Sequence, residues 1–163
     1  MLYFAYGSNM SLARLRARAP CALRIVSCVL YGYELRFHKL GQDGSGKCDA
    51  YKIASADALV QGALFEISAA EKASLDRAEG LGRGYNETWV QVNSEAGEVF
   101  DAVTYYATSI DETLKPYSWY LNHVLTGARE SSLPGSYIAL IEATETIEDP
   151  DLERDTRERG LHR

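Results

Sequence analysis

The chain has 163 residues, of which 46% are hydrophobic and 25% charged, and its formal net charge is −6. This length and composition are typical of a single soluble globular domain. The acidic balance argues against a nucleic-acid-binding surface and against an anionic membrane partner, and no apolar run is long enough to span a bilayer. Three cysteines without paired spacing indicate reduced thiols in a cytoplasmic protein rather than a disulfide framework or a metal site.

The first segment predicts a strand, a tight turn and the start of a helix. Leu2–Ala5 is an apolar run typical of a short buried strand, and residues 10–18 have the spacing of a helix with one apolar stripe. Between them, Gly7 permits a turn, and Ser8 and Asn9 are good helix N-caps. Amides at such a turn bind carboxylates, phosphates or developing oxyanions. On local evidence alone, a plain strand-to-helix cap is the simpler explanation.

Further strands are predicted between residues 21 and 67. Residues 21–40 are β-like, with Gly32 marking a bend or bulge. Residues 49–54 suit a short strand, and residues 59–67 suit a stronger one. The glycine-rich segment 41–47 lacks the spacing of a phosphate-binding P-loop, which favours a flexible loop.

The next segment predicts a helix with clear limits, followed by a hairpin. Ser68 and Glu71 have the spacing of a capping box, and Gly80 marks the end of a helix that runs to about residue 78. Residues 88–92 and 99–107 predict an antiparallel pair of strands joined by a turn at residues 94–97.

The last third of the chain predicts helices and a charged tail. Pro116 opens a helix that we expect Gly127 to close, and Pro134 opens another. The chain is charged from residue 145 onward, so we predict a domain over residues 1–144 and a loosely packed tail over residues 145–163, at most a frayed helix. Few βαβ alternations favour an α+β fold over a doubly wound sheet.

Glu79 is the candidate general acid/base. It ends a well-capped helix and precedes a glycine-rich loop, where a carboxylate shielded from water suits proton transfer. A glutamate at a helix end is more commonly solvated and without a role. Asp76, on about the same helix face, and Glu71, a capping residue, are the competing carboxylates.

Two distant segments together resemble the γ-glutamylcyclotransferase family. The opening of that family is similar to Phe4-Ala5-Tyr6-Gly7-Ser8-Asn9-Met10. The segment that carries its catalytic glutamate is similar to Leu75-Asp76-Arg77-Ala78-Glu79-Gly80. Residues 44–47, 60–65 and 127–137 also fit the family's pattern, so the resemblance covers residues 1–142.

The resemblance implies a small mixed β-barrel flanked by helices, with a pocket at one end. It also implies a reaction in which the α-amine of a γ-glutamyl group attacks its own γ-carbonyl, forms 5-oxoproline and expels an amine or an amino acid. This chemistry needs a folded substrate, one base and a set of N–H donors, and it needs no metal or organic cofactor. The implied partner is a small γ-glutamyl substrate, with no nucleic acid and no membrane, and a homodimer is left open.

The resemblance also assigns roles residue by residue. Glu79 matches the general acid/base. The substrate-binding loop corresponds to Tyr6, Gly7, Ser8 and Asn9, with the amides of the last three as donors. Tyr85 and Tyr120 resemble pocket tyrosines, although core packing explains each of them equally well. Asn9 stands where glutathione-specific relatives tend to have leucine, which favours the broader γ-glutamyl group.

Two alternative functions stay open on the sequence. One is a biosynthetic cyclotransferase that unmasks a γ-glutamyl-protected amine by the same chemistry, since the residues around the leaving group are undefined. The other is a non-catalytic module that binds a small carboxylate. The acid at position 79 counts against this module, because a buried carboxylate beside an anion site is costly.

Overall fold

A computed structural model describes residues 1–162 and shows a closed five-stranded barrel with a separate hairpin and five α-helices in that part of the chain. In chain order, its elements are β1 (Leu2–Ala5), a 3₁₀ turn (Ser8–Met10), α1 (Leu12–Arg16), β2 (Leu23–Tyr31), β3 (Tyr33–Leu40), β4 (Gly46–Lys52), β5 (Leu59–Glu66), α2 (Ala69–Glu79), β6 (Tyr85–Ser94), β7 (Val99–Ala107), α3 (Ser118–Glu130), α4 (Gly135–Glu142) and α5 (Leu152–Gly160).

The barrel has the strand order β1-β5-β2-β6-β7. It closes through β1, which pairs antiparallel with β5 and meets β7 in parallel where Tyr3 lies opposite Val103. Phe4, Leu64 and Phe65 are fully buried in the core, and each such side chain contributes about 1.5–3 kcal/mol. The predicted α+β fold, a small mixed barrel flanked by helices, is confirmed.

The β-like stretch over residues 21–40 is divided between two sheets. Gly32 adopts a φ of +80°, and its amide donates a 2.8 Å hydrogen bond to the Ala58 carbonyl. This left-handed residue, easily adopted by glycine, turns the chain out of barrel strand β2 into β3. Strand β3 then pairs with β4 as the separate hairpin, which stands beside the barrel.

The predicted helix over residues 10–18 is shorter than expected and begins later. Ser8–Met10 forms the 3₁₀ turn, and α1 is capped by Ser11, whose side chain accepts from the Arg14 amide. The expectation that Ser8 and Asn9 act as caps is therefore wrong. Both residues are buried and bond to side chains rather than to helix amides: the Ser8 hydroxyl accepts from Arg14 Nε at 3.1 Å, and the Asn9 side-chain amide donates to Glu79 at 2.8 Å.

The expectation that Gly127 closes α3 is also wrong, because this residue lies within the helix. A Cβ at Gly127 would stand 2.3 Å from the Ser11 nitrogen and 2.4 Å from the Met10 Cβ. Glycine is present here because α3 crosses directly against the backbone after the 3₁₀ turn. The close crossing seats that turn against the rest of the molecule.

Helix α2 and the hairpin that follows it agree with their sequence signals. Ser68 and Glu71 form a reciprocal capping box, and Gly80 ends the helix in the left-handed conformation with a φ of +72°. Strands β6 and β7 pair over their lengths, and the Gly97 amide donates to the Ser94 carbonyl in the turn. Because α2 ends abruptly, the position of its last residue, Glu79, is well defined.

The charged tail is anchored to the rest of the protein. Asp149 is buried, accepts a 2.7 Å hydrogen bond from the Trp119 indole and pairs with Arg154. Glu158 accepts from Arg14 at 2.5 Å and lies 3.0 Å from a ring nitrogen of buried His123. The expectation of loose packing is wrong because polar contacts replace the apolar ones that the tail lacks. The division of the chain at residue 144 stays a prediction.

No helix among the described residues is long and apolar enough to cross a membrane.

Candidate active site

Two adjoining cavities lie at one end of the barrel, beside the 3₁₀ turn and the last residue of α2. The small cavity holds about 30 Å³ and the large cavity about 370 Å³. Four residues line both of them, namely Ser8, Glu79, Tyr85 and Tyr120. A ligand that reaches the small cavity and is larger than a water molecule therefore extends past this shared wall into the large cavity.

All of the sequence-predicted site residues line the small cavity. They are Tyr6, Gly7, Ser8, Asn9, Glu79, Tyr85 and Tyr120. The structure adds Tyr3, Cys48 and Tyr105, which the sequence analysis did not single out. Tyr3 and Tyr105 come from the barrel strands β1 and β7, and their rings meet edge to face at 5.8 Å.

Glu79 is held through one of its two carboxylate oxygens. Its Oε1 accepts from Asn9 Nδ2 at 2.8 Å and from Arg18 Nη1 at 2.6 Å. The side chain is 15% exposed, and its Oε2 makes no hydrogen bond within residues 1–162. A carboxylate oriented in this way keeps one oxygen for an exchangeable proton of a ligand.

Asn9 and Arg18 form a closed triangle with Glu79. Arg18 Nη1 also donates to Asn9 Oδ1 at 2.6 Å, and Asn9 Nδ2 lies 3.0 Å from the Tyr3 hydroxyl. The Asn9 side chain is thus committed to positioning the carboxylate rather than to contacting a ligand. Sequence reasoning missed Arg18. Its only signal was the four-residue spacing from Arg14, which places both guanidinium groups on one side of the first helical segment.

The 3₁₀ turn leaves its first amides available. The amides of Met10 and Ser11 donate to the carbonyls of Gly7 and Ser8, at 3.0 and 3.3 Å. Among the described residues, the amides of Gly7, Ser8 and Asn9 donate to no loop or cap carbonyl. A short run of such N–H groups at a cavity wall suits a carboxylate or a developing oxyanion.

Gly7 is required by the close contact of this turn with β4. A Cβ at Gly7 would lie 2.9 Å from the Cβ of Cys48 and 3.6 Å from the Tyr120 hydroxyl. Burial raises the pKa of the Cys48 thiol to about 12, so this side chain is a neutral thiol at physiological pH. Such a thiol packs against the turn and is a poor nucleophile.

The tyrosines both line the cavity and brace the strands around it. The Tyr85 hydroxyl donates to the Cys48 carbonyl, and the Tyr120 hydroxyl accepts from the Cys48 amide at 3.0 Å. The Tyr6 hydroxyl donates to the Tyr105 carbonyl at 2.6 Å. Burial raises the pKa of Tyr6, Tyr85 and Tyr120 well above the ordinary value, so these phenols stay neutral. Pocket lining and core packing are therefore both satisfied by the same residues.

The competing carboxylates of α2 lie elsewhere. Asp76 accepts from the Tyr105 hydroxyl at 2.6 Å and pairs with Lys72, while Glu71 caps the helix and accepts from the Cys21 amide at 2.5 Å. Within residues 1–162, Glu79 is the one acidic side chain that lines the small cavity. No cluster of His, Cys, Asp and Glu with the arrangement of a metal site occurs in the same part of the chain.

The large cavity is lined by many charges. Among the described residues, its cations are Arg14, Arg18, Lys39, Lys47 and Arg154, and its carboxylates are Asp43, Glu79 and Glu158. Lys47 lies 2.7 Å from an Asp43 oxygen in the loop between β3 and β4. The predicted flexible loop therefore contributes a fixed ion pair to the wall of the cavity.

The chain is similar to known proteins over nearly all of its length. The profile of the AIG2-like family matches residues 59–141. Human gamma-glutamylcyclotransferase is 30% identical over 149 residues, which cover 88% of this chain and 78% of the human protein. The mouse gamma-glutamylcyclotransferase is 28% identical over 152 residues, covering 90% and 80%. A solved structure of a gamma-glutamyl cyclotransferase matches with a TM-score of 0.84 at 25% identity, over 96% of this chain and 98% of that one.

Proposed function

Since the chain belongs to the AIG2-like, γ-glutamylcyclotransferase family, we propose that it converts a γ-glutamyl amino acid or amine to 5-oxoproline, with Glu79 as the general acid/base. One observation carries the proposal. The single carboxylate of the small cavity shares that cavity with the turn formed by Gly7, Ser8 and Asn9.

The reaction needs one proton carrier. Glu79 takes a proton from the α-ammonium of the substrate, and the freed amine attacks the γ-carbonyl carbon. The attacking nitrogen gives up a second proton as the new C–N bond closes the lactam. The original amide C–N bond breaks, and Glu79 passes both protons in turn to the departing amine, which leaves as an ammonium. Both reacting groups belong to one molecule, so binding the folded conformer supplies much of the acceleration.

Each remaining part of the site supports this chemistry. The Gly7, Ser8 and Asn9 amides are suited to hold the substrate carboxylate or the oxyanion that develops on the γ-carbonyl. Asn9 and Arg18 fix one oxygen of Glu79 and leave Oε2 for the proton transfer. The neutral phenols of Tyr6, Tyr85 and Tyr120 form a polar wall without a competing charge.

The test is release of 5-oxoproline from a panel of γ-glutamyl amino acids and amines. Glu79→Gln preserves the size of the side chain and its acceptor oxygen but removes the base. We expect a loss of about 10²–10⁴ in kcat, the usual contribution of a positioned acid/base. Glu66→Gln makes the same chemical change at an exposed position on β5 and should leave turnover intact. Equal activity of wild type and Glu79→Gln would reject the assignment.

The same panel separates the two other functions. A non-catalytic carboxylate-binding module would bind γ-glutamyl compounds without producing 5-oxoproline. A biosynthetic deprotecting enzyme would release 5-oxoproline from only one class of γ-glutamyl amine.

We also propose a cytoplasmic location and a place in glutathione-related metabolism. The location is supported by the unpaired state of Cys21, Cys28 and Cys48, and cell fractionation tests it.

A further inference from the structure

Most cations of the large cavity already have a carboxylate partner. Arg14 pairs with Glu158 at 2.5 Å, and Arg18 pairs with Glu79 at 2.6 Å. The other two pairs are Lys47 with Asp43 at 2.7 Å and Arg154 with Asp149 at 2.5 Å. Among the residues that the structure describes, these four ion pairs leave the cavity wall with one unmatched positive charge.

That charge belongs to Lys39. The residue is 5% exposed, lines the large cavity and forms no ion pair within residues 1–162. Its Nζ lies 4.6 Å from the centroid of the Tyr85 ring, a cation–π contact, and its N–H donors have no acceptor among residues 1–162. Burial lowers the pKa of Lys39, and the Glu79 and Asp43 carboxylates oppose this shift. An ammonium at a cavity wall without a carboxylate partner among the described residues is open to an anionic group of a ligand.

The fold holds Lys39 in place from both sides. In β3 it lies opposite Lys47 of β4, and on its other side it forms an isolated bridge with Ile110. The amide of the next residue donates to the Ser109 carbonyl at 2.9 Å. A Cβ at Gly84 would lie 3.0 Å from Lys39 Cε, so glycine leaves the space that the lysine side chain occupies. The ammonium is therefore positioned by the scaffold rather than by a flexible loop.

The residues shared by the two cavities indicate which part of a bound substrate lies in which cavity. Glu79 and Tyr85 line both cavities, whereas Lys39 lines only the large one. A γ-glutamyl group beside Glu79 and the turn amides would project its leaving amine past Tyr85 into the large cavity. An amino acid as leaving group carries its carboxylate into this cavity, whereas a simple amine carries none.

We propose that Lys39 binds the carboxylate of the departing amino acid and thereby selects γ-glutamyl amino acids over γ-glutamyl amines. This inference rests on the proposed cyclotransferase function and assigns a specificity-determining residue to it. Lys39 supplies the unmatched charge, and its N–H donors supply hydrogen bonds that an uncharged leaving group cannot accept.

Two substrates that differ only in the carboxylate test the inference. L-γ-glutamyl-L-alanine and L-γ-glutamylethylamide share the glutamyl group and the two-carbon amine. We expect wild type to prefer the alanine compound in kcat/KM by about 10- to 100-fold, the range for a hydrogen bond to a charged group. Lys39→Met should lose that preference, because its kcat/KM for the alanine compound falls to the value for the ethylamide.

The controls separate charge from folding. Lys39→Arg keeps the charge and should retain part of the preference, and Lys52→Met makes the same change at an exposed position of β4. Both substrates are assayed on the same preparation, so a folding defect would lower both alike. A wild type without preference, or an equal loss on both substrates in Lys39→Met, would overturn the role of Lys39. The absence of 5-oxoproline from either substrate in wild type would instead reject the proposed function.

Discussion

Asn9→Asp is a sharp test of the triangle that positions Glu79. The substitution keeps the shape of the side chain and the oxygen that accepts from Arg18, 2.6 Å away. It replaces the amide nitrogen, which donates to Glu79 Oε1 at 2.8 Å, with a second carboxylate oxygen. One hydrogen bond is thereby exchanged for a contact between like charges at a position that is 4% exposed.

The magnitude follows from the distance between these atoms. Two like charges 2.8 Å apart repel by about 6 kcal/mol at an effective dielectric constant of about 20. Arg18 lies 2.6 Å from the Asn9 oxygen, and by the same arithmetic it attracts the new carboxylate by about as much. The cost that remains is that of the lost hydrogen bond to Glu79 beside a second buried carboxylate, so we expect Asn9→Asp to lower the free energy of unfolding by about 1–3 kcal/mol at pH 7. We also expect kcat to fall by about 10- to 100-fold, since Glu79 shifts from its position, with KM changed less.

The pH dependence gives this prediction its sign. Repulsion raises the pKa of the new carboxyl pair in the folded protein above its value in the unfolded chain, so folded protein binds more protons near neutral pH. The stability deficit of Asn9→Asp should therefore be full at pH 7 and shrink as the pH falls towards 4. Urea unfolding at the two pH values measures it. Asn86→Asp, at an exposed position on β6, is the matched control and should show neither effect.

A deficit independent of pH would refute the charge argument and indicate a packing defect. Unchanged kcat at full stability would show that the Asn9 side chain does not position Glu79.

Further predictions concern the α3 crossing and the tail. Gly127→Ala adds a Cβ 2.3 Å from the Ser11 nitrogen, so urea unfolding should show that the free energy of unfolding falls by at least about 2 kcal/mol. In the control Gly135→Ala the added Cβ meets open space, and the free energy of unfolding should fall by less than about 1 kcal/mol. Burial lowers the pKa of His123 from 6.5 to about 4, so the unfolded chain binds more protons between these values and stability should fall as the pH decreases through this range. As the pH decreases, the melting temperature should fall more steeply in wild type than in His123→Gln. Parallel curves of melting temperature against pH would contradict this prediction.

The features that sequence reasoning recovered are those with local signals. The capping box of Ser68 and Glu71 and the left-handed Gly80 define α2 through contacts within a few residues. The turn at residues 94–97 likewise defines the hairpin of β6 and β7. These signals also carried the prediction of a carboxylate at the end of α2, although the roles of the site residues stay predictions.

The features that it missed depend on segments far apart in the chain. Gly127 resembles a helix stop, but its lack of a side chain serves a crossing with Ser11. Glu158 lies in a charged segment without an apolar pattern. It anchors the tail because it contacts buried Arg14 and His123. Neither contact can be predicted from local propensity or periodicity.

The sequence by itself determined most of the strands and helices, the barrel-type fold through its family resemblance, and the two segments that supply the turn and Glu79. Only the tertiary structure decided that Arg18 and Asn9 hold one oxygen of that carboxylate, and that Lys39 in the adjoining cavity has no carboxylate partner within residues 1–162. The physical reason is that hydrogen bonds and charge pairing depend on distances of a few ångströms between residues remote in sequence. Such distances are set by how the whole chain packs.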